Sequence, residues 1–117
     1  MAEIRMKRVY EEPSEADGYR VLVDRLWPRG VAKADAQVDL WFKDIAPTPE
    51  ARKEFGHMAE RFADFTARYR AELDANPAVD QALELLREHP VVTLVYAAKD
   101  PQINHVVVLR DYLLEQD

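Results

Sequence analysis

The apolar positions of this chain change period several times, and each change marks an element. Residues 4–10, IRMKRVY, alternate roughly between apolar and basic side chains and include β-branched and aromatic residues, the pattern of a half-exposed strand. EEPSEADG (11–18) is rich in turn formers and predicts a loop. In RVLVDRL (20–26), Val21, Leu22 and Val23 stand in succession, which suits a strand covered on both faces. VVTLVY (91–96) carries the same signal more clearly. DLWFKDIAP (39–47) fits either an extended segment or an irregular turn.

Between these runs the period lengthens to that of helices. Thr48 is a capping residue, Pro49 suits a first helical position and Gly56 a left-handed end, so a short helix spans 49–55. Phe62, Phe65, Tyr69 and Leu73 recur at steps of three and four, predicting an amphipathic helix over 59–75 that buries an aromatic stripe. Asn76-Pro77 ends it and starts another, with Val79, Ala82, Leu83 and Leu86 on one face and His89-Pro90 as the stop. Asp100-Pro101 reads as a cap and a first residue for a helix over 101–115, although Val106, Val107 and Val108 alone favour a strand. Strands separated by helices imply a small α/β domain. Its helices pack in a three-layer-like way on a mostly parallel central sheet of about three to four strands. A single domain over residues 1–117 is expected, since no linker or repeat interrupts the pattern.

Charge changes this picture. The 117 residues are 48% hydrophobic and 32% charged, with a formal net charge of −6, so nothing attracts nucleic acid or anionic membrane in bulk. Residues 1–33 nevertheless hold seven basic against six acidic side chains, while 34–117 hold nine against sixteen. The basic excess surrounds DRLWPRG (24–30). No apolar run is long enough to span a membrane, and the N-terminus lacks the apolar core of a signal peptide, so a cytoplasmic protein is expected.

In α/β folds ligands bind outside the carboxyl ends of the strands. DRLWPRG leaves one strand and YAAKDPQINH (96–105) leaves another, so neighbouring parallel strands would bring both to one rim. Arg25, Arg29, Lys99, Asn104 and His105 could then surround one small anion, with Lys43 and Tyr96 as further ligand-binding candidates. Arginine donates paired hydrogen bonds to carboxylate or phosphate, and histidine switches between donor and base near neutral pH, which makes His105 the candidate acid or base.

Each residue also has a plainer role. Arg25 could pair with Asp24, Asp44 or a helix carboxylate. Leu26, Trp27 and Pro28 could close the core, Trp41 could wall it, and Gly30 could shape a turn. His57 reads as a helix-end residue and His89 as a helix C-terminal cation.

Several chemistries are excluded. Without cysteine there are no disulfides, thiolate nucleophiles or thiolate metal sites. The only serine, Ser14, lies in an acidic loop, and three glycines are too few for a phosphate-cradling glycine-rich loop. His57, His89 and His105 have no metal-ligand spacing, and no cofactor motif occurs.

GYRVLVDRLWPRG (18–30), LWFKDIAP (40–47), FGH (55–57), RFADFTARYRAEL (61–73) and LVYAAKD with the later NH (94–105) together resemble the YeaO-like family, small bacterial and archaeal proteins forming a domain-of-unknown-function family. The resemblance covers nearly the whole chain. It implies a single α/β domain without a firmly established activity, whose recurrent polar positions map onto Asp24, Arg25, Arg29, Lys43, His57, Lys99, Asn104 and His105. Thr48, Glu54 and Val106 depart from the family pattern, and the bulk of Val106 bears on the floor of the expected pocket. Three functions stay open: a domain binding a small phosphate or carboxylate, with or without catalysis; a nucleotide or nucleic-acid module stacking bases on Trp27, Trp41 or Tyr96; and a structural or interaction domain.

Overall fold

The two strongest strand patterns become neighbours at the centre of the molecule. In the computed structural model, which describes residues 2–116, β1 (Glu3–Arg8), β2 (Tyr19–Leu22), β3 (Leu40–Trp41) and β4 (Val91–Tyr96) form one parallel sheet. The strand order is β1-β4-β2-β3. Met1 and Asp117, the ends of the expected domain, lie outside the described residues.

Strand alternation divides the sheet into two faces. Val92, Leu94 and Tyr96 of β4 join Val21 and Val23 in the main core, which is closed by α2 (Pro49–Phe55), α3 (Phe62–Asp74), α4 (Ala78–Glu88) and α5 (His105–Glu115). Val95 and Leu22 point the other way, into a smaller cluster with Val9 and Ala36, the last residue of α1 (Lys33–Ala36). Trp27, Val31, Val38 and Trp41 pack against that cluster, so loops do most of the covering on this second face. The continuous apolar runs of β2 and β4 follow from burial on both sides.

Local capping accounts for the helix boundaries. Thr48 accepts from the Ala51 amide at 3.2 Å, Pro49 opens α2, and Gly56 ends it at φ +55°. The stripe of α3 is largely buried as its spacing predicts: Phe65, Tyr69 and Leu73 lie in the main core, and Phe62 is half-buried against it. No side chain caps the start of that segment, and residues 59–61 form a 3₁₀ turn before the α-helix begins. Residues 39–47 use both of their options, with β3 followed by a 3₁₀ turn at Lys43–Ile45.

Two expectations need correction. The strand expected over 20–26 ends at Leu22, because after the Val23 amide bonds Val95 O at 3.0 Å the chain turns away from the sheet. The last helix begins at His105 rather than at residue 101. Asp100 caps only an isolated turn, accepting from the amides of Gln102 and Ile103, and these two bonds hold its carboxyl below the ordinary aspartate range. Asn104, extended at φ −155°, is the true helix cap: its Oδ1 accepts from Val106 and Val107 at 2.9 and 3.0 Å. The valine run then lies inside a helix because tertiary burial of Val106 and Val108 outweighs their strand preference.

Candidate functional site

Because β2 and β4 are adjacent and parallel, the chain segments leaving them run side by side. Where the two strands separate, a side chain replaces the missing ladder partner: Asp24 Oδ2 accepts from the Ala97 amide at 2.9 Å. This places Asp24 and Arg25 opposite Ala97 and Ala98. With Ala46, Pro47, Arg52, His57 and His105 they line a cavity of about 200 Å³ at the strand C-terminal rim. An engineered cavity of about 150 Å³ holds benzene, so the space suits a small molecule or the head group of a larger one.

His105 is the first residue of α5 and stands beside Asp24, with Nε2 at 3.3 Å from Asp24 Oδ1 and 3.0 Å from Val23 O. Both neighbours are acceptors only, so Nε2 carries a proton and donates to them. The ring packs edge-on against Tyr69 at a centroid distance of 6.3 Å. Tyr69 donates to Ile45 O at 2.7 Å, and burial pushes its hydroxyl far above the usual tyrosine range. It is therefore a fixed neutral donor that anchors the segment leading to α2.

Arg25 makes no ion pair among the described residues. Its Nε donates to Pro47 O at 3.1 Å and its Nη2 to Ala46 O at 3.0 Å, so neutral carbonyls hold the guanidinium in place and its charge is left uncompensated. Both Nη1 hydrogens and the second Nη2 hydrogen stay free for another acceptor, including the paired end-on edge that suits an oxyanion. Arg52, in the last turn of α2, and His57, just beyond it, form another wall. Arg52 also lacks a carboxylate partner among the described residues. Two guanidinium groups against one carboxylate make the cavity electropositive in a chain whose net charge is −6.

The structure thus brings Arg25 and His105 together but leaves the other expected ligands out of the lining. Asn104 is fully buried, and its amide is engaged at both ends, with Nδ2 donating to Asp100 O at 2.7 Å. It builds the rim without facing the cavity. Lys43 lies over the Trp41 ring at 5.0 Å, Tyr96 is buried in the main core, and Lys99 is exposed. Arg29 is exposed too, and its carbonyl accepts from the Tyr10 hydroxyl at 3.3 Å. Of the WPRG group, Pro28 is buried and Trp27 meets Trp41 edge-on, its Nε1 donating to Val31 O at 2.7 Å. Leu26 is 68% exposed and does not close the core. Val106 lies inside the core and forms no part of the pocket floor.

Arg52 had no signal pointing to a pocket, and His57, named only through the family resemblance, read by itself as a helix-end residue. They reach it because α2 is anchored by its Thr48 cap and by Glu72, whose carboxylate accepts from the Thr48 amide and hydroxyl at 3.1 and 2.6 Å. This contact between α2 and α3 is not readable from the spacing of either helix.

A family model described as the inactive DUF488-N3 subclade matches residues 3–117. The chain belongs to that family. Similar proteins include an uncharacterized Escherichia coli protein, YeaO, 43% identical over 110 residues that cover 94% of this chain and 96% of the relative. Uncharacterized proteins of Mycobacterium bovis and Mycobacterium tuberculosis are also 43% identical over 110 residues, covering 92% of their length. No solved structure matches. The YeaO-like resemblance and the parallel α/β architecture of this DUF488-N3 chain therefore agree. None of its helices is long and apolar enough to cross a membrane, among the described residues.

Proposed function

We propose that the cavity at the strand C-terminal rim binds a small anion and carries out no chemistry on it. The observation that supports this most strongly is Arg25: a partly buried guanidinium fixed by two carbonyls, without a counter-charge, lining an open cavity. A buried charge without a partner is costly, and a bound anion removes that cost. The description of the matching family as inactive supports a binding role over a catalytic one. In this reading His105 is a ligand-side hydrogen-bonding group held by Asp24, and its role as acid or base is set aside.

Base stacking has less support. The Trp41 face lies under Lys43 and its edge region meets Trp27, while Tyr96 is inside the core.

The test is thermal unfolding with inorganic phosphate or acetate as probe. A ligand at a hundred times its dissociation constant stabilises by about 2.7 kcal/mol. The wild-type melting temperature is expected to rise with at least one of these anions. Arg52→Ala, which removes no hydrogen bond within the described residues, is expected to weaken that response, and Arg25→Ala to abolish it. An equal rise in both variants would overturn the assignment.

A further inference from the structure

Resting on the anion reading, we propose that His57 is a direct ligand contact and that the preferred anion is a tetrahedral phosphate-type oxyanion, free or as a monoester, rather than a carboxylate. His57 has φ +57° and follows Gly56 at φ +55°, so two successive residues are left-handed and the second carries a β-carbon. Side chains rarely adopt this conformation, and it persists where surrounding contacts impose it. Here the amides of Gly56 and Met58 bond Arg52 O and Phe55 O at 2.9 and 3.1 Å, and the imidazole tilts against Phe55 at a centroid distance of 5.5 Å. The side chain is nevertheless exposed and makes no hydrogen bond among the described residues. Core packing therefore does not explain its position, whereas lining the cavity with Arg25, Arg52 and His105 does.

The distribution of donors selects the shape of the anion. A carboxylate is planar, and the end-on edge of one arginine satisfies it. A phosphate presents three oxygens around an axis and needs donors from several directions. The cavity supplies them from two chain segments, Arg25 after β2 and Arg52 with His57 at the end of α2, while His105 at the start of α5, its Nε2 committed to Val23 O and Asp24, forms a wall. Charge points the same way. The two guanidinium groups exceed the Asp24 carboxylate by one, an excess that suits an anion carrying more than one negative charge. The charged and titratable groups facing His105 are Asp24, Arg25 and Tyr69; on the chain around His57 stand Arg52, Lys53, Glu54, Glu60 and Arg61, of which Arg52 alone lines the cavity.

Calorimetric titration of the full chain with phenyl phosphate and benzoate, which share a ring and differ in the head group, tests this directly. Phenyl phosphate is expected to bind at least about tenfold more tightly, a difference near 1.4 kcal/mol. His57→Asn, which tolerates the left-handed backbone, is expected to remove most of that preference by lowering phenyl phosphate affinity more than benzoate affinity. Equal affinities for both ligands, or a preference untouched in His57→Asn, would overturn the proposal while the pocket reading stands. Binding of neither ligand, nor of inorganic phosphate, would overturn both. His57→Gly serves as the folding control, since relief of the left-handed strain keeps the chain folded and the loss of preference should persist.

Discussion

The two ends of β2 each carry an aspartate and an arginine, and they are built in opposite ways. At the N-terminal end Asp17 and Arg20 are only 5% and 4% exposed, and every polar group is used. Arg20 gives Nη1 to Asp17 at 2.6 Å, Nη2 to Ala36 O at 2.8 Å and Nε to Gln37 O at 3.1 Å. Asp17 also accepts from Lys7 and from the Ser14 amide, and its carbonyl takes the Thr93 hydroxyl at 2.6 Å. At the C-terminal end Asp24 meets His105 and the Ala97 amide, but Arg25 meets carbonyls alone. A closed ion pair locks a loop to a sheet; an arginine without a counter-charge beside a cavity is ready for one from outside. Residue type does not separate an arginine closed into an ion pair from one held by carbonyls at a cavity, whereas a full account of their partners does.

This contrast can be broken most forcefully at the closed end. Asp17→Asn leaves Arg20 buried without its anion, and such losses cost about 3–5 kcal/mol. Asp24→Asn at the open end keeps the amide acceptor and should cost far less. Chemical denaturation of both variants checks the ranking, and equal losses would dissolve the contrast.

Glycine scanning sharpens it next. A β-carbon on Gly18, at φ +64°, would lie 2.4 Å from Val91 O, so Gly18→Ala must displace backbone. Gly30 has φ +74° but nothing within 4 Å, so Gly30→Ala should cost only the conformational strain, about 1–2 kcal/mol. Melting temperatures of the pair should differ clearly, with Gly18→Ala the lower.

Acid then tests the closed end. Burial opposes ionisation of Asp17, but the Ser14 amide, Lys7 and Arg20 outweigh it and hold the carboxyl below its ordinary value of 3.8. The unfolded chain therefore binds the proton more readily than the folded one. The resulting stability is fully present above about pH 4 and is lost as pH falls through the depressed native value. Melting temperature followed into acid should decline in the wild type, and this component should vanish in Asp17→Asn. The smallest effect belongs to the open end: Arg52→Ala should change stability within about 0.5 kcal/mol while reducing the anion response.

Much of this architecture was legible before folding. The 49–55 helix, the buried 91–96 strand and the Phe65, Tyr69 and Leu73 stripe follow from caps and periods that act within a few residues. The closed ion pair also left a trace, since Ser14 and Asp17 are spaced as a capping box, with Ala16 donating to Ser14 Oγ at 3.1 Å. The start of α5 was harder because Asp100 and Asn104 are both competent caps four residues apart. Burial of Val106 and the reach of Asn104 to Asp100 O select the second.

The candidate site divides along the same line. Strand runs and the crevice rule located the rim and named Arg25 and His105 for it, Arg25 three residues beyond β2 and His105 at the start of the helix that the segment leaving β4 enters. Arg29, only four residues beyond Arg25, turns to solvent, and Lys99 does too, since loop direction depends on contacts such as Tyr10 with the Arg29 carbonyl. Arg52 and His57 enter from a helix whose position is set by Glu72, 24 residues from Thr48. Local patterning thus determined the elements and the end of the sheet at which the cavity opens. Which side chains meet there was decided by packing between elements distant in sequence, where periodicity and capping carry no information.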